Sequence, residues 1–294
     1  MRLHCRPIPG VTIPLIHRRD RRRPCPVKSR ECEITATDVH GGRESQSMDA
    51  QQVIIRQCEG LEELQACVSL QKQVWGWSDA ELVARDIFVV AAKIGGQVIG
   101  SFDRGTLVGY VLSFPGFRRG DIYLHSHMLA IREDYRNLGL GRRLKCAQRE
   151  EALRRGFTLI EWTFDPLETK NAHFNLERLG AIVRRYVRNQ YGITSSHLHA
   201  GLPTDRCMAE WWLNSCSVKA VLDGRQPPRP PVELRISVPE EVADLRRSEP
   251  KRAVEIQTRI AEELTAGFHK GLAVIGFDRS GGTGTYLLGK WESK

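Results

Sequence analysis

The stretch Leu124–Arg143, LHSHMLAIREDYRNLGLGRR, decides the fold that this sequence predicts. Its first nine residues are mostly apolar and are followed by a polar turn, which predicts a buried strand over 124–132. Side chains alternate between the two faces of a strand, so His125 and His127 are expected on the same face. These two imidazoles are the first candidates for chemistry in the chain.

After the strand, the sequence predicts a turn, a glycine loop and a helix. The run 136–141 carries Gly139 and Gly141 directly before a helical pattern over 142–155. Glycine allows the backbone to adopt positive φ and to approach a ligand closely. A loop of this kind can turn backbone N–H groups towards an anion at the N-terminus of the helix.

Two motifs resemble those of a known family. The pattern R-x-x-G-x-G over 136–141, after a strand that ends at 129–131, resembles the acyl-CoA loop of the GNAT acyltransferases. Downstream, the stretch Asn171–Ala181 is similar to the later helix of that family, which starts with Asn and ends in a Leu-Gly turn. The His-x-His spacing resembles the central strand of serotonin N-acetyltransferase. The resemblance implies a GNAT fold of the α/β (α+β) class, with a mixed central sheet and flanking helices.

The resemblance also implies how an acyl-CoA would bind. Its diphosphate would accept hydrogen bonds from the backbone N–H groups of 137–142, with the arginines of the loop adding positive potential. The pantetheine arm would bond the backbone of the central strand where this strand separates from its parallel neighbour, and a backbone N–H near Met128 or Leu129 would bind the oxyanion. The residues predicted to bind acetyl-CoA or another acyl-CoA are Leu129, Ala130, Ile131, Arg136, Asn137, Leu138, Gly139, Leu140, Gly141, Arg142 and Asn171.

His125 and His127 are the predicted catalytic residues. The amine substrate is protonated at neutral pH, and an imidazole can take its proton directly or through water. Two other interpretations stay open: the histidines are hydrogen-bonded core residues, or Glu161 or Asp165 on the neighbouring strand is the base. A metal site is not expected, since no third ligand follows at a suggestive spacing.

The sequence departs from the family pattern at one position. Many GNAT proteins carry a Tyr four residues before the glycine that ends the later helix, and this Tyr protonates the leaving thiolate. Here that position is Leu176. Tyr186 or Tyr191, or a water molecule, could take over the role. The departure is also compatible with a non-catalytic CoA-binding sensor or interaction protein.

Composition and charge narrow the class of protein. The 294 residues carry a formal charge of +9 and are 41% hydrophobic, which suffices for a packed core. Residues 1–47 hold ten Lys or Arg against five Asp or Glu, so the rest is only mildly basic and no nucleic-acid partner is expected. No apolar run reaches the roughly 20 residues of a membrane helix. The eight cysteines include no C-x-x-C pair, and the sequence predicts a cytoplasmic protein with reduced thiols and no membrane partner.

The predicted organisation has four parts. Residues 1–47 lack periodicity and are rich in Arg, Pro and Gly, which predicts a disordered basic tail. The acyltransferase domain spans 48–218, a Pro-rich linker 219–231, and a small C-terminal α+β module 232–294. This module could cover the acceptor pocket or hold a homodimer together, and the sequence leaves both open.

The order of elements fits a GNAT domain. A short helical piece is predicted over 79–83. Gly95-Gly96 lies between two apolar runs, which predicts a hairpin over 88–102. A helix separates the apolar strands 124–132 and 158–164, so this crossover should make the two strands parallel.

Together these observations predict an N-acyltransferase in which an amine attacks the thioester directly. Acetyl-CoA is the expected donor, and a small-molecule amine or an amino acid is the expected acceptor. The stretch 163–181 with a C-terminal extension also resembles a bacterial branch of largely predicted enzymes in the family, some members of which acylate amino acids. Succinyl-CoA-dependent N-succinylation of an amino acid is therefore the alternative. A carboxylate on either substrate would need an arginine, for which Arg184, Arg185 and Arg188 are candidates.

Overall fold

The computed structural model of the chain describes residues 52–118, 120–193 and 201–292. The predicted tail, 1–47, lies outside the described residues, whereas Met48–Lys294 forms one compact unit. The strands are β1 Ile54–Gln57, β2 Gln97–Asp103, β3 Thr106–Arg118, β4 Asp121–Ile131, β5 Leu159–Phe164, β6 Ile182–Val187, β7 Arg206–Trp212, β8 Leu234–Pro239, β9 Leu272–Ser280 and β10 Thr283–Lys290. The helices are α1 Gly60–Trp75, α2 Arg85–Lys93, α3 Leu140–Arg154, α4 Thr169–His173, α5 Cys216–Leu222, α6 Val242–Ser248 and α7 Pro250–His269.

These strands form one mixed sheet in the order β1-β2-β3-β4-β5-β7-β6-β9-β10-β8. Neighbouring strands are antiparallel except β4 and β5, which are parallel. The predicted parallel crossover is therefore confirmed, and so is the predicted α/β (α+β) class with a mixed sheet and flanking helices. Among the described helices, none is long and apolar enough to cross a membrane.

The parallel pair β4–β5 is short and opens along its length. Its Cα partners are Leu124 with Ile160 and His125 with Glu161 only. Beyond these two pairs, β4 continues to Ile131 and β5 to Phe164, but the two strands no longer pair with each other. The two strands thus separate, and a gap opens in the middle of the sheet.

A β-bulge interrupts β4 beside this gap. Ser126 pairs with Ser113 and Met128 with Leu112, so His127 is the extra residue. A bulge places an additional residue on one strand and leaves it outside the ladder. As a result, Ser126 faces α3, whereas Met128 packs with the apolar residues under α1 and α2.

Helices cover the first half of the sheet on both faces. On one face, Cys67 and Leu70 of α1 and Phe88 of α2 are buried against β2, β3 and β4. On the other face, Leu144 of α3 packs on Ile99 and other residues of these strands. The alternation of apolar side chains along each strand fills both layers, as expected for a sheet that is buried on two faces.

The sequence prediction of a hairpin over 88–102 is wrong. Residues 88–93 belong to α2, with Phe88 and Ala91 on its buried side at helical spacing. Gly95, at φ 95°, follows the helix end, and β2 begins directly after Gly96. A continuous apolar run fits a buried strand and a helix equally well, and here packing against β2 and β3 decides for the helix. The predicted helical piece over 79–83 is a turn.

The C-terminal segment continues the same sheet. Strand β9 meets β6 at a single pair, Val183 with Val274, and β10 and β8 follow outward. One apolar cluster contains Trp162 and Trp211 together with Ile260 and Leu288, so both parts of the chain share a core. The helices of this segment are interrupted at Pro250, which begins α7. The proposed domain boundaries at 218 and 232 stay predictions.

Candidate active site

A cleft of about 600 Å³ lies where β4 and β5 separate. Its walls come from β4, β5, the segment after α1, the helix α4 with the turn that follows it, and α6. The residues that line it are Trp75, Trp77, Glu81, Val83, Ser126, His127, Met128, Leu129, Lys145, Trp162, Thr163, Phe164, Asp165, Glu168, Asn171, Phe174, Asn175, Tyr191, Arg206 and Arg246. The cleft is thus formed by residues far apart in the sequence, which meet because the sheet opens.

The glycine loop precedes α3 with the geometry of an anion site. Gly139 is the N-cap of α3 at φ 75°, and no side chain caps this helix end. Asn137 also has positive φ, at 63°. A Cβ at Gly139 would meet no atom within 4 Å, and one at Gly141 would only touch Phe174 at 3.8 Å and Leu129 at 3.9 Å. The backbone N–H groups of this turn therefore border open space, where the helix dipole favours an anion.

The side chains of the loop are directed elsewhere. Leu140 is buried in an apolar cluster, and Leu138 is exposed. The guanidinium of Arg142 donates to the carbonyls of Val221 and Leu222 at 3.3 and 3.0 Å, and that of Arg143 to Val53 O at 2.7 Å. These arginines contribute positive charge, but their N–H groups donate to the backbone carbonyls of neighbouring segments. The backbone N–H groups are therefore the main hydrogen-bond donors to a ligand at this helix end.

Of the residues predicted to contact the pantetheine arm, some line the cleft and others do not. Leu129 and Asn171 line the cleft, whereas Ala130 and Ile131 lie further along β4, where this strand pairs with β3 but not with β5, outside the lining residues. Asn171 Oδ1 accepts from Asn175 Nδ2 at 3.3 Å, and Asn175 Oδ1 accepts from Trp162 Nε1 at 3.1 Å. This chain of hydrogen bonds fixes the Asn171 side chain opposite β4.

The two histidines lie on one face of β4, with ring centroids 6.2 Å apart. His127 lines the cleft and packs edge-on against Phe114 at 5.8 Å, whereas His125 lies beside the cleft, opposite Glu161. Burial, followed by repulsion from His127, lowers the pKa of His125 to about 4. The walls of the cleft also lower the pKa of His127, although its side chain reaches solvent. Of the two imidazoles, only that of His127 lines the cleft.

Two carboxylates named as alternative bases are held in ion pairs. Glu161 is 1% exposed and accepts hydrogen bonds from Arg118 and Arg185. Burial opposes its charged form, but these two arginines outweigh it and lower the pKa of Glu161. Asp165 lines the cleft and binds Arg246 at 2.8 Å. These contacts favour structural roles for both carboxylates.

The tyrosines near the gap differ in what they can reach. Leu176 is buried in the core, so its position offers no acid to the cleft. Tyr186 donates to Asp205 at 2.8 Å, and burial raises the pKa of its hydroxyl. Tyr191 lines the cleft, and its hydroxyl is 3.2 Å from Thr163 Oγ1 on β5. Of the two tyrosines that the sequence suggested, Tyr191 is the one in the cleft.

Sequence reasoning missed several residues of the cleft. Trp75 and Trp77 stack at 4.7 Å and form an aromatic wall, and Arg246 comes from the C-terminal segment. Lys145 is 2% exposed, on the sheet side of α3. Its spacing from Gln148 and Ala152, both buried, is helical and could have indicated this face. A lysine at such a position is normally assigned to solvent, since lysine is almost never fully buried.

Residues 59–181 match the model of the acetyltransferase (GNAT) family. No curated protein matches the chain significantly. Solved structures that the chain matches include yncA, a putative acetyltransferase from Salmonella typhimurium with its cofactor acetyl-CoA, at 17% identity and a TM-score of 0.46, covering 56% of this chain and 95% of that one. The ribosomal-protein-S18-alanine N-acetyltransferase from Escherichia coli is 16% identical with a TM-score of 0.45 and covers 55% of this chain and 95% of its own. Naa50 from Arabidopsis thaliana, in complex with the bisubstrate analogue CoA-Ac-MVNAL, is 13% identical with a TM-score of 0.43, covering 54% and 97%.

Proposed function

We propose that residues 59–181, which match the model of the acetyltransferase (GNAT) family, transfer the acetyl group of acetyl-CoA to the primary amine of a small molecule. One observation carries the proposal: the uncapped N-terminus of α3 and the open gap between β4 and β5 belong to the same β4-loop-α3 unit. An elongated ligand with a diphosphate near one end can therefore bind the helix and reach the cleft through the gap.

The nucleotide end of the donor would bind the backbone of residues 137–142. Gly139 and Gly141 leave space for close approach, and the arginines around the loop raise the local potential. The arm of the donor would run along the unpaired edge of β4, with the side-chain amide of Asn171 opposite. Backbone groups that lack a strand partner are the natural hydrogen-bonding sites for an extended ligand.

His127 is the proposed base. It lies in the cleft, and its neutral imidazole can take a proton from the incoming ammonium group. His125 neighbours it at 6.2 Å between ring centroids and is proposed to carry the proton onward through water. The amine then attacks the thioester directly, and no covalent bond to the protein is needed for this transfer.

The bulge at His127 supports the proposed oxyanion site. The extra residue leaves the ladder with β3, so backbone N–H groups near Met128 are released from regular pairing beside the gap. An N–H fixed in advance stabilises the charge that develops on a carbonyl oxygen. Tyr191, whose hydroxyl borders the cleft beside Thr163, is the proposed proton donor to the leaving thiolate.

The acceptor side of the cleft has an aromatic wall and a mixture of charges. Trp75 and Trp77 stack beside Val83, and Glu168 and Arg246 form part of the opposite wall. Burial raises the pKa of Glu168, with Arg246 acting against this. A volume of about 600 Å³ suits a small molecule. The cleft walls therefore favour a compact amine with an apolar body.

The proposal is tested by following free thiol with the purified chain, acetyl-CoA or succinyl-CoA, and a panel of small amines between about pH 6 and 9. Amine-dependent thiol release is expected. Calorimetry with CoA alone measures the affinity for CoA independently of turnover. Binding without thiol release for any amine would instead support a CoA sensor, and the absence of any CoA affinity would refute both functions.

A further inference from the structure

Lys145 is a buried amine in the wall of the cleft, and the proposed reaction does not use it. It is 2% exposed. Its Nζ donates to Gln148 Oε1 at 2.6 Å and to Ser126 Oγ at 3.2 Å. The same nitrogen lies 3.8 Å from the centre of the Trp162 ring. The amine is thus held in one place by two polar side chains and an indole.

The surroundings of Lys145 disfavour a charged ammonium group. Within the described ranges its hydrogen-bond partners are an amide and a hydroxyl, and no carboxylate forms an ion pair with it. Burial lowers the pKa of Lys145 well below its usual value. A buried ammonium group without a counter-ion is costly, so burial favours the neutral form of this amine.

A neutral lysine is a nucleophile. Its two N–H groups satisfy Gln148 and Ser126, and those two bonds leave the nitrogen lone pair unused. Lysines activated by loss of water in an apolar pocket attack carbonyl carbon readily. A residue needed only to fill space here could be apolar, because the indoles of Trp162 and Trp211 form most of this wall.

Lys145 lies at the closed end of the gap between β4 and β5. Ser126, which it contacts, directly follows the last paired residue of β4, and Trp162 directly follows the last paired residue of β5. A thioester whose arm runs through the gap would place its acyl group at this end. The amine of Lys145 and the proposed acceptor amine would then approach the same carbonyl, from the α3 side and from the His127 side.

We propose that Lys145 is a self-acylation site, which accepts the acyl group of the bound thioester when no amine substrate is present. The inference rests on the proposed function, since it needs the thioester in this gap. The Nζ lone pair forms a C–N bond to the carbonyl carbon, and the C–S bond breaks with its electron pair on sulfur. The proton lost by nitrogen ends on sulfur, so the products are an ε-amide and the free thiol. The acylated side chain fills the closed end of the gap and stops turnover.

The test is intact-mass and peptide mass spectrometry of the full chain after incubation with acetyl-CoA alone. An increase by one acetyl group is expected, and it maps to Lys145. Lys93, which is exposed on α2, reports the background reaction of surface lysines with the thioester. Excess CoA without the acyl group should suppress the adduct on Lys145 and leave that on Lys93 unchanged.

Variants link the adduct to turnover. Preincubation with acetyl-CoA should lower the later rate of amine acetylation in proportion to the modified fraction. Lys145→Met keeps a similar length without the amine, so its rate of amine acetylation should not decline relative to its own starting value. Two results would overturn the inference. One is a chain that acetylates amines but whose Lys145 stays unmodified after incubation with acetyl-CoA alone. The other is an adduct on Lys145 that forms as slowly as the adduct on Lys93 and is not suppressed by CoA. Absence of CoA affinity in calorimetry would identify failure of the proposed function itself.

Discussion

His125 and His127 are neighbours on β4, but their surroundings assign them different tasks. His127 lines the cleft, and His125 lies opposite the buried Glu161 with a pKa of about 4. With such a low pKa, His125 does not hold a proton at pH 7, so it suits the transient relay proposed for it better than the role of the base, which needs a pKa near the working pH. Of the two imidazoles, that of His127 is therefore the stronger candidate for the base.

Replacing His127 by Gln should lower kcat by about 100-fold or more, because a positioned general base contributes this much. The acid limb of the pH profile of kcat/KM should also disappear, since its midpoint below 6.5 reports protonation of this imidazole. His125→Gln is the matched control on the same strand face, with an expected loss of less than about tenfold. Equal losses for both variants would show that the two imidazoles act as one unit.

The depressed pKa of His125 should also make the fold sensitive to acid. Between its ordinary value of 6.5 and about 4, the unfolded chain binds the proton more readily than the folded one. The free energy of unfolding should therefore fall with decreasing pH in this window, by up to about 1.4 kcal/mol per pH unit. Chemical denaturation at several pH values measures this slope, which should be smaller for His125→Gln. The same slope in the variant would assign the loss to other groups.

Helix α3 carries a glycine with positive φ at each end. Gly139 lies at its start with φ 75°, and Gly156 follows its end with φ 85°. In both places an added Cβ would meet no atom within 4 Å, so a substitution is strained by its backbone and not by its neighbours. Comparing the same substitution at Gly139 and at Gly156 therefore separates the cost of backbone strain from the loss of a binding site.

Valine at either glycine should destabilise the fold by about 1–2 kcal/mol, the usual cost of an L residue in this conformation. Gly139→Val should in addition strongly weaken CoA binding, because the turn that presents the backbone N–H groups is altered. Gly156→Val should bind CoA like the unmodified chain. Thermal unfolding and calorimetry measure the two effects. If both variants bound CoA equally well, the diphosphate site would lie elsewhere.

Prediction from sequence succeeded where a local rule determines the element. The glycine loop, α3 and the parallel β5 follow from backbone freedom and crossover geometry, and the structure has them close to the expected positions. It failed at α2, because an apolar run of this length suits a helix or a strand until its packing partners are known. In the candidate site, the cleft position of Lys145 depends on tertiary contacts with Ser126 and Trp162, which no sequence spacing reveals.

At the scale of the whole molecule, the C-terminal segment is part of the cleft and of the core. Arg246 of α6 donates to Asp165 at 2.8 Å and to Glu168 at 3.1 Å, both next to the end of β5. Arg246 is 4% exposed, so its removal would leave carboxylates without their main partner. The C-terminal segment supplies a wall of the candidate active site, which supports the expectation that it covers the acceptor pocket.

A chain of residues 48–294 should unfold in one cooperative transition, because a single apolar cluster joins the two parts. A chain that ends at residue 231 should not reach the native state, since β6 loses its neighbour β9 and Asp165 loses its ion pair with Arg246. Calorimetry combined with tryptophan fluorescence measures both. Deletion of 1–47 is the control and should leave the midpoint and the CoA affinity unchanged. Two separate transitions would support an independent C-terminal module.

The bulge in β4 has a consequence for how related chains are compared. Ahead of the extra residue, odd-numbered side chains such as His125 point away from α3; beyond it, Leu129 points towards α3 and the even-numbered Met128 away. The strand changes phase at His127. A variant without His127 would regain regular pairing with the other side chains of β4 on their present faces, but it would lose the imidazole that lines the cleft. A related chain that lacks this one residue would therefore keep the strand and lose the proposed base.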